Sequence, residues 1–311
     1  MKYIVNHTGD SLAIIILNWN NSSDTIATIQ AIQNWKMLTP VIWVVDNGSE
    51  DNSVERIRRE CPDVRLLLSD HNRGFAAGNN LAIQEALAEK WTNSFLLLNN
   101  DAVIDENGAC RLLNTLERTE RSIVGPILRD PPPAMSLQAA GGLNPVWRVD
   151  THLRHIPDES APYPVDYVPG TAILIAAEVF ERVGLLDEEY FISGEIADFC
   201  LRARRHGYRP LIDPTVTVYH DTGRSSELRV AFYTYYFLRN RFLFVRKLYP
   251  RWQLLLSLRW GLFGLISIVG SHIRGQRRRA SALALALRHG LTGRFGDRSQ
   301  QVFTQDRQHV Q

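Results

Sequence analysis

The sequence predicts an α/β fold built on a doubly wound sheet, and three observations carry that expectation. Residues 12–17, 41–45 and 95–98 are continuous apolar runs, the pattern of short strands buried on both faces. Each run breaks abruptly into polar residues: Asn18-Trp19-Asn20, Asp46-Asn47-Gly48-Ser49-Glu50-Asp51 and Asn99-Asn100-Asp101. Helix-forming stretches separate the runs, which implies right-handed crossovers between parallel strands.

The elements follow in order. Ser22-Ser23-Asp24 caps a helix through about residue 35, residues 53–60 form a second helix, and residues 64–68 a third strand. Asn72-Arg73-Gly74-Phe75-Ala76-Ala77-Gly78-Asn79-Asn80 places two glycines four apart beside an arginine, a loop where backbone can approach a ligand. A helix follows to about residue 90, then the strand at 95–98, a helix over 108–120 and a short apolar run at Ile123-Val124. From 129 to 169 the pattern fails. Pro131-Pro132-Pro133 and Gly141-Gly142 predict a long loop, a lid over a site. Residues 170–175 form a strand, 178–183 a helix, 184–191 a turn and 198–206 a helix. Residues 216–220 alternate as a strand that ends on His220.

Apolar content of 45% and charged content of 22% are those of an ordinary globular protein. Cys61, Cys110 and Cys200 are scattered and odd in number, which points to a reducing compartment and no disulfide framework. Residues 1–10 lack a basic start followed by an apolar run, so no signal peptide is expected. The net charge of +2 hides an asymmetry. Residues 1–228 carry 20 Lys/Arg against 31 Asp/Glu, whereas residues 229–296 carry 13 Lys/Arg and no acid. Within that basic tail, residues 260–273 are uncharged. As a helix they span ~21 Å, short of the ~30 Å hydrocarbon core, so attachment at the interface is expected rather than a span. Nucleic acid is disfavoured because no recognition motif accompanies the charge.

In an open α/β sheet, ligands bind outside the carboxyl ends of the strands. Those positions supply Asp46, Arg73, Asn100, Asp101 and His220, with Glu195 and Asp198 entering a helix. Asp101 and His220 suit a shared divalent cation such as Mn²⁺ or Mg²⁺. A nearby carboxylate serves as general base once substrate excludes water.

Taken together these motifs resemble the inverting family 2 glycosyltransferases of GT-A fold, especially the bacterial rhamnosyltransferase-like branch. The resemblance runs from Leu12 to about Ser226 and rests on six segments in order. These are Ile16-Leu17-Asn18-Trp19-Asn20, Asp46 to Asp51, Asn72 to Asn79, Leu98-Asn99-Asn100-Asp101, Phe191 to Arg202, and His220. It implies a Rossmann-like, mixed and mainly parallel sheet flanked by helices. It implies that Asn18, Asp46, Arg73, Gly74, Gly78, Asn79 and Asn100 form the nucleotide side, with Asp46 on the pyrimidine base. Asp101 and His220 would hold the metal. The donor would be dTDP-rhamnose or a UDP-sugar, and the acceptor a polyprenyl-linked or other glycan at the cytoplasmic face of the membrane. The chain departs from the family's Glu-Asp-x-Asp, since it reads Glu195-Ile196-Ala197-Asp198. Ile196 takes no proton, which makes Glu195 the leading base and Asp198 the second choice. The rival reading is a non-catalytic nucleotide-sugar-binding protein that lost its base at Ile196. A nucleotidyltransferase is disfavoured because no glycine-rich, lysine-bearing loop follows Leu17.

The expected division is a transferase domain over 1–228, a basic, apolar, membrane-associating helical tail over 229–299, and a disordered end over 300–311.

Overall fold

A computed structural model describes residues 11–221 and 227–302. The expectation about a leader in residues 1–10, and the part of the expected disordered end from residue 303, lie outside these residues. Residues 299–302 form a helical turn in which Val302 is buried.

The first half alternates β1 (Ser11–Asn18), α1 (Ser22–Gln33), β2 (Val41–Asp46), α2 (Ser53–Glu60), β3 (Arg65–Leu68), α3 (Gly74–Ala88) and β4 (Thr92–Asn99). These strands pair in the order β3-β2-β1-β4, all parallel. Their side chains obey the period of two. Leu12, Ile14 and Ile16 enter the core on one face of the sheet, under α1, and Ala13 and Ile15 enter the core on the other, under α3. Slipping the register by one residue would exchange the two sets, so burial on both faces fixes the pairing of Asn18 with Asp46 and of Leu17 with Asn99.

After β4 come β5 (Ala102–Val103), α4 (Glu106–Arg118), β6 (Ser122–Arg129), β7 (Leu137–Ala139), β8 (Tyr163–Pro164), β9 (Ala172–Ala176), α5 (Ala177–Val183), α6 (Glu195–Arg205) and β10 (Arg209–His220). α4 starts two residues earlier than expected because the Asp105 side chain caps it, accepting from the Gly108 N–H at 2.6 Å. The sheet continues β4-β9-β6-β10-β5. Here the expectation of parallel neighbours is met only indirectly. β9 runs antiparallel to both β4 and β6, so β6 and its parallel neighbour β10 regain the direction of β4. The carboxyl ends of β1, β2, β4 and β10 therefore share one edge.

The segment from 129 to 169 is mostly irregular, as expected, and is held in place. Arg259 donates to the carbonyls of Val146 (2.8 Å) and Trp147 (2.9 Å), and Trp260 Nε1 donates to Val146 at 3.1 Å. Asn144 donates to the Tyr249 hydroxyl at 2.6 Å.

The tail comprises α7 (Glu227–Leu248), α8 (Gln253–Ile273) and α9 (Arg277–Leu291). Packing runs across the change in composition near residue 228. Tyr235, Tyr236, Leu238, Phe242 and Phe244 of α7 belong to the same buried cluster as Phe95, Ile173 and Phe199. Leu256 and Trp260 of α8 face inward, while Leu254, Leu255, Leu258, Leu262, Leu265, Ile266, Val269 and Ile273 form an exposed apolar stripe at helical spacing. The helical stretch from Pro250 to Ile273, 24 residues containing an 18-residue window of mean hydropathy 1.7, is long and apolar enough to cross a membrane by length and composition. Its length exceeds that of the uncharged run because Arg259, directed at the 146–147 carbonyls, lies within it.

Candidate active site

The residues expected to bind the donor gather where β1 and β2 end. Asn18 and Asp46 are buried side by side, and Asn18 Nδ2 donates to Asp46 Oδ2 at 2.7 Å. Ser49 closes the turn, its N–H donating to Asp46 Oδ1 at 2.9 Å and its hydroxyl to Oδ2 at 2.7 Å. Asp46 thus holds the turn as well as standing at the strand end. Asn47 ties this turn to the next loop, donating to the Gly74 carbonyl at 3.1 Å and accepting from the Arg73 N–H at 3.0 Å. Gly74 has φ +81°, and a Cβ there would stand 2.3 Å from the Phe191 carbonyl oxygen, which accepts from the Phe75 N–H at 2.7 Å. Gly78 lets α3 close on β1, since a Cβ would meet Leu17 Cδ1 at 2.5 Å. Asn79 is buried and donates to the Phe75 carbonyl at 2.9 Å, so it stiffens the start of α3. Asn100 Nδ2 donates to the Thr25 hydroxyl at 3.1 Å.

Asp101 and His220 meet. Ala102 of β5 pairs with His220 of β10, which sets Asp101 Oδ1 3.2 Å from His220 Nε2. Two donors on one edge of a small octahedral cation stand about 3 Å apart, so the pair fits such an ion. Among the described residues no third His, Cys, Asp or Glu completes a cage. The remaining positions suit substrate phosphates and water, the usual surroundings of a cation of this kind. Gln138 steadies the histidine, its Nε2 donating to the His220 carbonyl at 2.6 Å.

The two carboxylates of α6 part company. Gly194 (φ +122°), preceded by Phe191 and Ser193 at φ +63° and +67°, turns the chain sharply into the helix. Left-handed conformations at non-glycine residues persist only where surroundings enforce them. Here α7 does so. Arg239 donates to the Glu189 and Tyr190 carbonyls, both at 3.0 Å, and Asn240 Nδ2 to that of Ile192 at 2.9 Å. Asp198, 0% exposed, accepts from Arg202 Nε at 2.7 Å and from the Tyr190 hydroxyl at 3.1 Å. Burial raises its pKa, and the Arg202 guanidinium opposes that shift. Glu195, 7% exposed, has no such partner, and its Oε2 is buried without a hydrogen bond. Desolvation raises its pKa to about 7, and the Asp198 charge adds to the effect. The folded state therefore binds this proton more tightly than the unfolded chain does. The neutral form contributes stability below the ordinary carboxylate range, and that contribution is lost as pH rises through about 7.

Glu195 and His220 line one cavity of 490 Å³, but Asp198 does not. The 129–169 segment contributes Gln138, His152, Arg154 and Tyr167 to its wall, and α7 contributes Phe237, Asn240, Arg241 and Phe244. The residues expected to bind the donor lie outside this wall, and the Asp101–His220 contact joins the two regions.

Residues 13–168 match the family model described as glycosyl transferase family 2. The chain belongs to that family. This family 2 glycosyltransferase is 28% identical over 249 residues to the low-salt glycan biosynthesis hexosyltransferase Agl10 of Haloferax volcanii, covering 75% of each chain. It is 28% identical over 272 residues to the N-acetylglucosaminyl-diphospho-decaprenol L-rhamnosyltransferase of Mycobacterium tuberculosis, covering 76% of this chain and 86% of that one. In structure it resembles the mannosyltransferase PcManGT from Pyrobaculum calidifontis, solved with GDP-Man and Mn²⁺. The TM-score is 0.55 at 14% identity, over 91% of this chain and 87% of that one. That likeness shows the fold, the GT-A arrangement.

The motif reading of this glycosyltransferase named His220 and Glu195, which line this cavity, and did not name the α7 residues of its wall. A signal was present, because Arg239-Asn240-Arg241 interrupts the uncharged, aromatic-rich stretch from 230 to 245, and all three residues are buried. Asp198→Asn leaves the Arg202 guanidinium without its counter-charge. Arg202 keeps some solvent contact, so the expected loss is about 2–4 kcal/mol, read by urea unfolding, with Mn²⁺-dependent nucleotide binding retained under native conditions.

Proposed function

We propose that this glycosyltransferase transfers a sugar, rhamnose or a similar hexose, from a dTDP- or UDP-sugar with inversion, and that the acceptor is a lipid-linked glycan at the cytoplasmic face of the membrane. The observation that carries the reading is the Glu195 carboxylate, buried, unpartnered at Oε2 and set in the cavity that His220 also lines. The relatives' names support the sugar class and the lipid carrier.

The donor nucleotide would lie against Asn18, Asp46, Arg73, Gly74, Gly78, Asn79 and Asn100, with its diphosphate at Asp101 and His220. A divalent cation bound there stabilises the negative charge of the leaving diphosphate. Glu195 accepts the proton of the acceptor hydroxyl as its oxygen bonds to the anomeric carbon, and the sugar–phosphate bond breaks on the opposite face. The diphosphate departs with the electron pair, and Glu195 returns its proton to solvent on product release. A pKa of about 7 suits this work, since the group is substantially ionised near neutrality and still basic. Asp198 is a positioning residue in this scheme: bonded to Arg202 and Tyr190, it fixes the helix that aims Glu195. The rival of a binding protein without a base rested on Ile196, and Glu195 supplies the acid that Ile196 lacks.

Attachment to the membrane would use the α8 stripe, lying in the interface rather than spanning, since the helix's inner face packs on the protein. Exposed Arg251, Arg274, Arg277 and Arg279 flank it.

Two outcomes are expected. Glu195→Gln lowers single-turnover transfer by roughly 10²–10⁴-fold, the usual size of a general-base contribution, while donor affinity stays within about twofold. Normal turnover in that variant would place the base elsewhere. In vesicle sedimentation, binding requires anionic lipid and weakens with salt, each basic residue at the surface contributing on the order of 1 kcal/mol. Equal binding to neutral vesicles contradicts the electrostatic part.

A further inference from the structure

Three buried polar atoms that lack a hydrogen-bond partner belong to residues lining the one cavity: Glu195 Oε2, Asn240 Oδ1 and Arg241 Nε. Glu195 is accounted for above, and the other two are not. Asn240 is 2% exposed, and its Nδ2 is committed to the carbonyls of the 190–193 segment, which fixes the orientation of its amide. Its oxygen is left as an acceptor for a hydroxyl group. Arg241 is 5% exposed. Its guanidinium lies 4.4 Å from the ring centre of Phe237 and 5.0 Å from that of Trp260. Its Nη2 donates a long hydrogen bond, 3.4 Å, to the Val149 carbonyl. Among the described residues no carboxylate pairs with it. Desolvation draws its pKa down to about 10, which leaves it charged at neutral pH. A buried cation without a counter-ion is costly, and aromatic faces compensate only in part. The arginine fork matches a phosphate.

The location says which phosphate. The donor diphosphate is assigned to Asp101 and His220; His220 reaches the wall of this cavity and Asp101 does not, so that pair stands at the cavity's edge. Arg241 instead touches Trp260 of α8, the helix whose outer face is the exposed apolar stripe. An anion held here can continue into an apolar chain that leaves toward the bilayer.

We infer that Arg241 anchors the phosphate of an isoprenoid-diphosphate acceptor, with the acceptor sugar's hydroxyls facing Asn240 and Glu195. This rests on the transferase reading above and narrows its acceptor to a molecule carrying diphosphate on a lipid.

The test uses the full chain in EDTA, without donor, so that cation-dependent diphosphate binding is removed and failure is read apart from failure of turnover. Geranyl diphosphate, geraniol and inorganic pyrophosphate are titrated calorimetrically. Wild type is expected to bind geranyl diphosphate at least tenfold more tightly than either other probe. Arg241→Gln is expected to abolish the preference over geraniol, and Arg241→Lys to keep part of it. Mn²⁺-dependent UDP binding, unchanged in Arg241→Gln, shows that the variant is folded. The contrast between the probes on wild type stands without any variant. Equal wild-type affinity for geranyl diphosphate and geraniol overturns the inference, as does a preference that survives Arg241→Gln. Pyrophosphate binding as tightly as geranyl diphosphate overturns the lipid assignment.

Discussion

The site depends on a carboxylate held in the protein without a counter-ion. Removing Glu195 from water costs free energy that a backbone hydrogen bond returns only in part, since its Oε2 has no donor and the Asp198 charge acts on it with the same sign. Structure elsewhere must therefore hold it there. Left-handed backbone at Phe191 and Ser193 and the turn at Gly194 bring the chain to the cavity wall, and Arg239 and Asn240 of α7 grip the carbonyls of that segment. Asp198 is neutralised by Arg202, which also donates to the carbonyls of Val183 (2.9 Å) and Leu185 (2.8 Å). One turn of helix thus carries two buried acids with opposite fates. One is bound into the scaffold, and the other is left without a counter-ion at the cavity.

The second half of the site follows from sheet direction. Two antiparallel steps through β9 restore the direction of β4 in β10, and the short antiparallel pairing of β5 with β10 brings Asp101 to His220. Residues 119 apart in sequence meet because of that reversal. α7 then joins the two sides, since its aromatic face packs on the segment that carries Glu195 while Arg241 reaches the cavity and Trp260. The helical tail for this reason forms part of the cavity wall.

Much of this was legible in the residues. Continuous apolar runs ending in polar turns located β1, β2 and β4, because a strand buried on both faces has no other composition available to it. Motif order singled out Asp101 and His220, which meet, and Glu195, which shares a cavity with His220. The direction of β9 was not legible. Its five residues are as apolar as a parallel strand's, and pairing direction is set by connections too long to read locally. The α7 wall was missed for a related reason: Asn240 and Arg241 matter through what the fold packs around them, and a lone buried arginine in a basic tail looks like one more surface charge. The hold of Asp46 on its turn was not legible either, since its bonds to Asn18 and Ser49 join segments that are distant or folded back in the chain.

The central claim is that Glu195 is a base tuned by burial. Its most direct measurement is a titration of the group itself, by NMR of protein labelled with ¹³C at the glutamate side-chain carboxyls. The account predicts one resonance with a midpoint of about 7 that is absent from Glu195→Gln. A Glu195 resonance titrating near about 4.3, the value of a solvated glutamate, would contradict it.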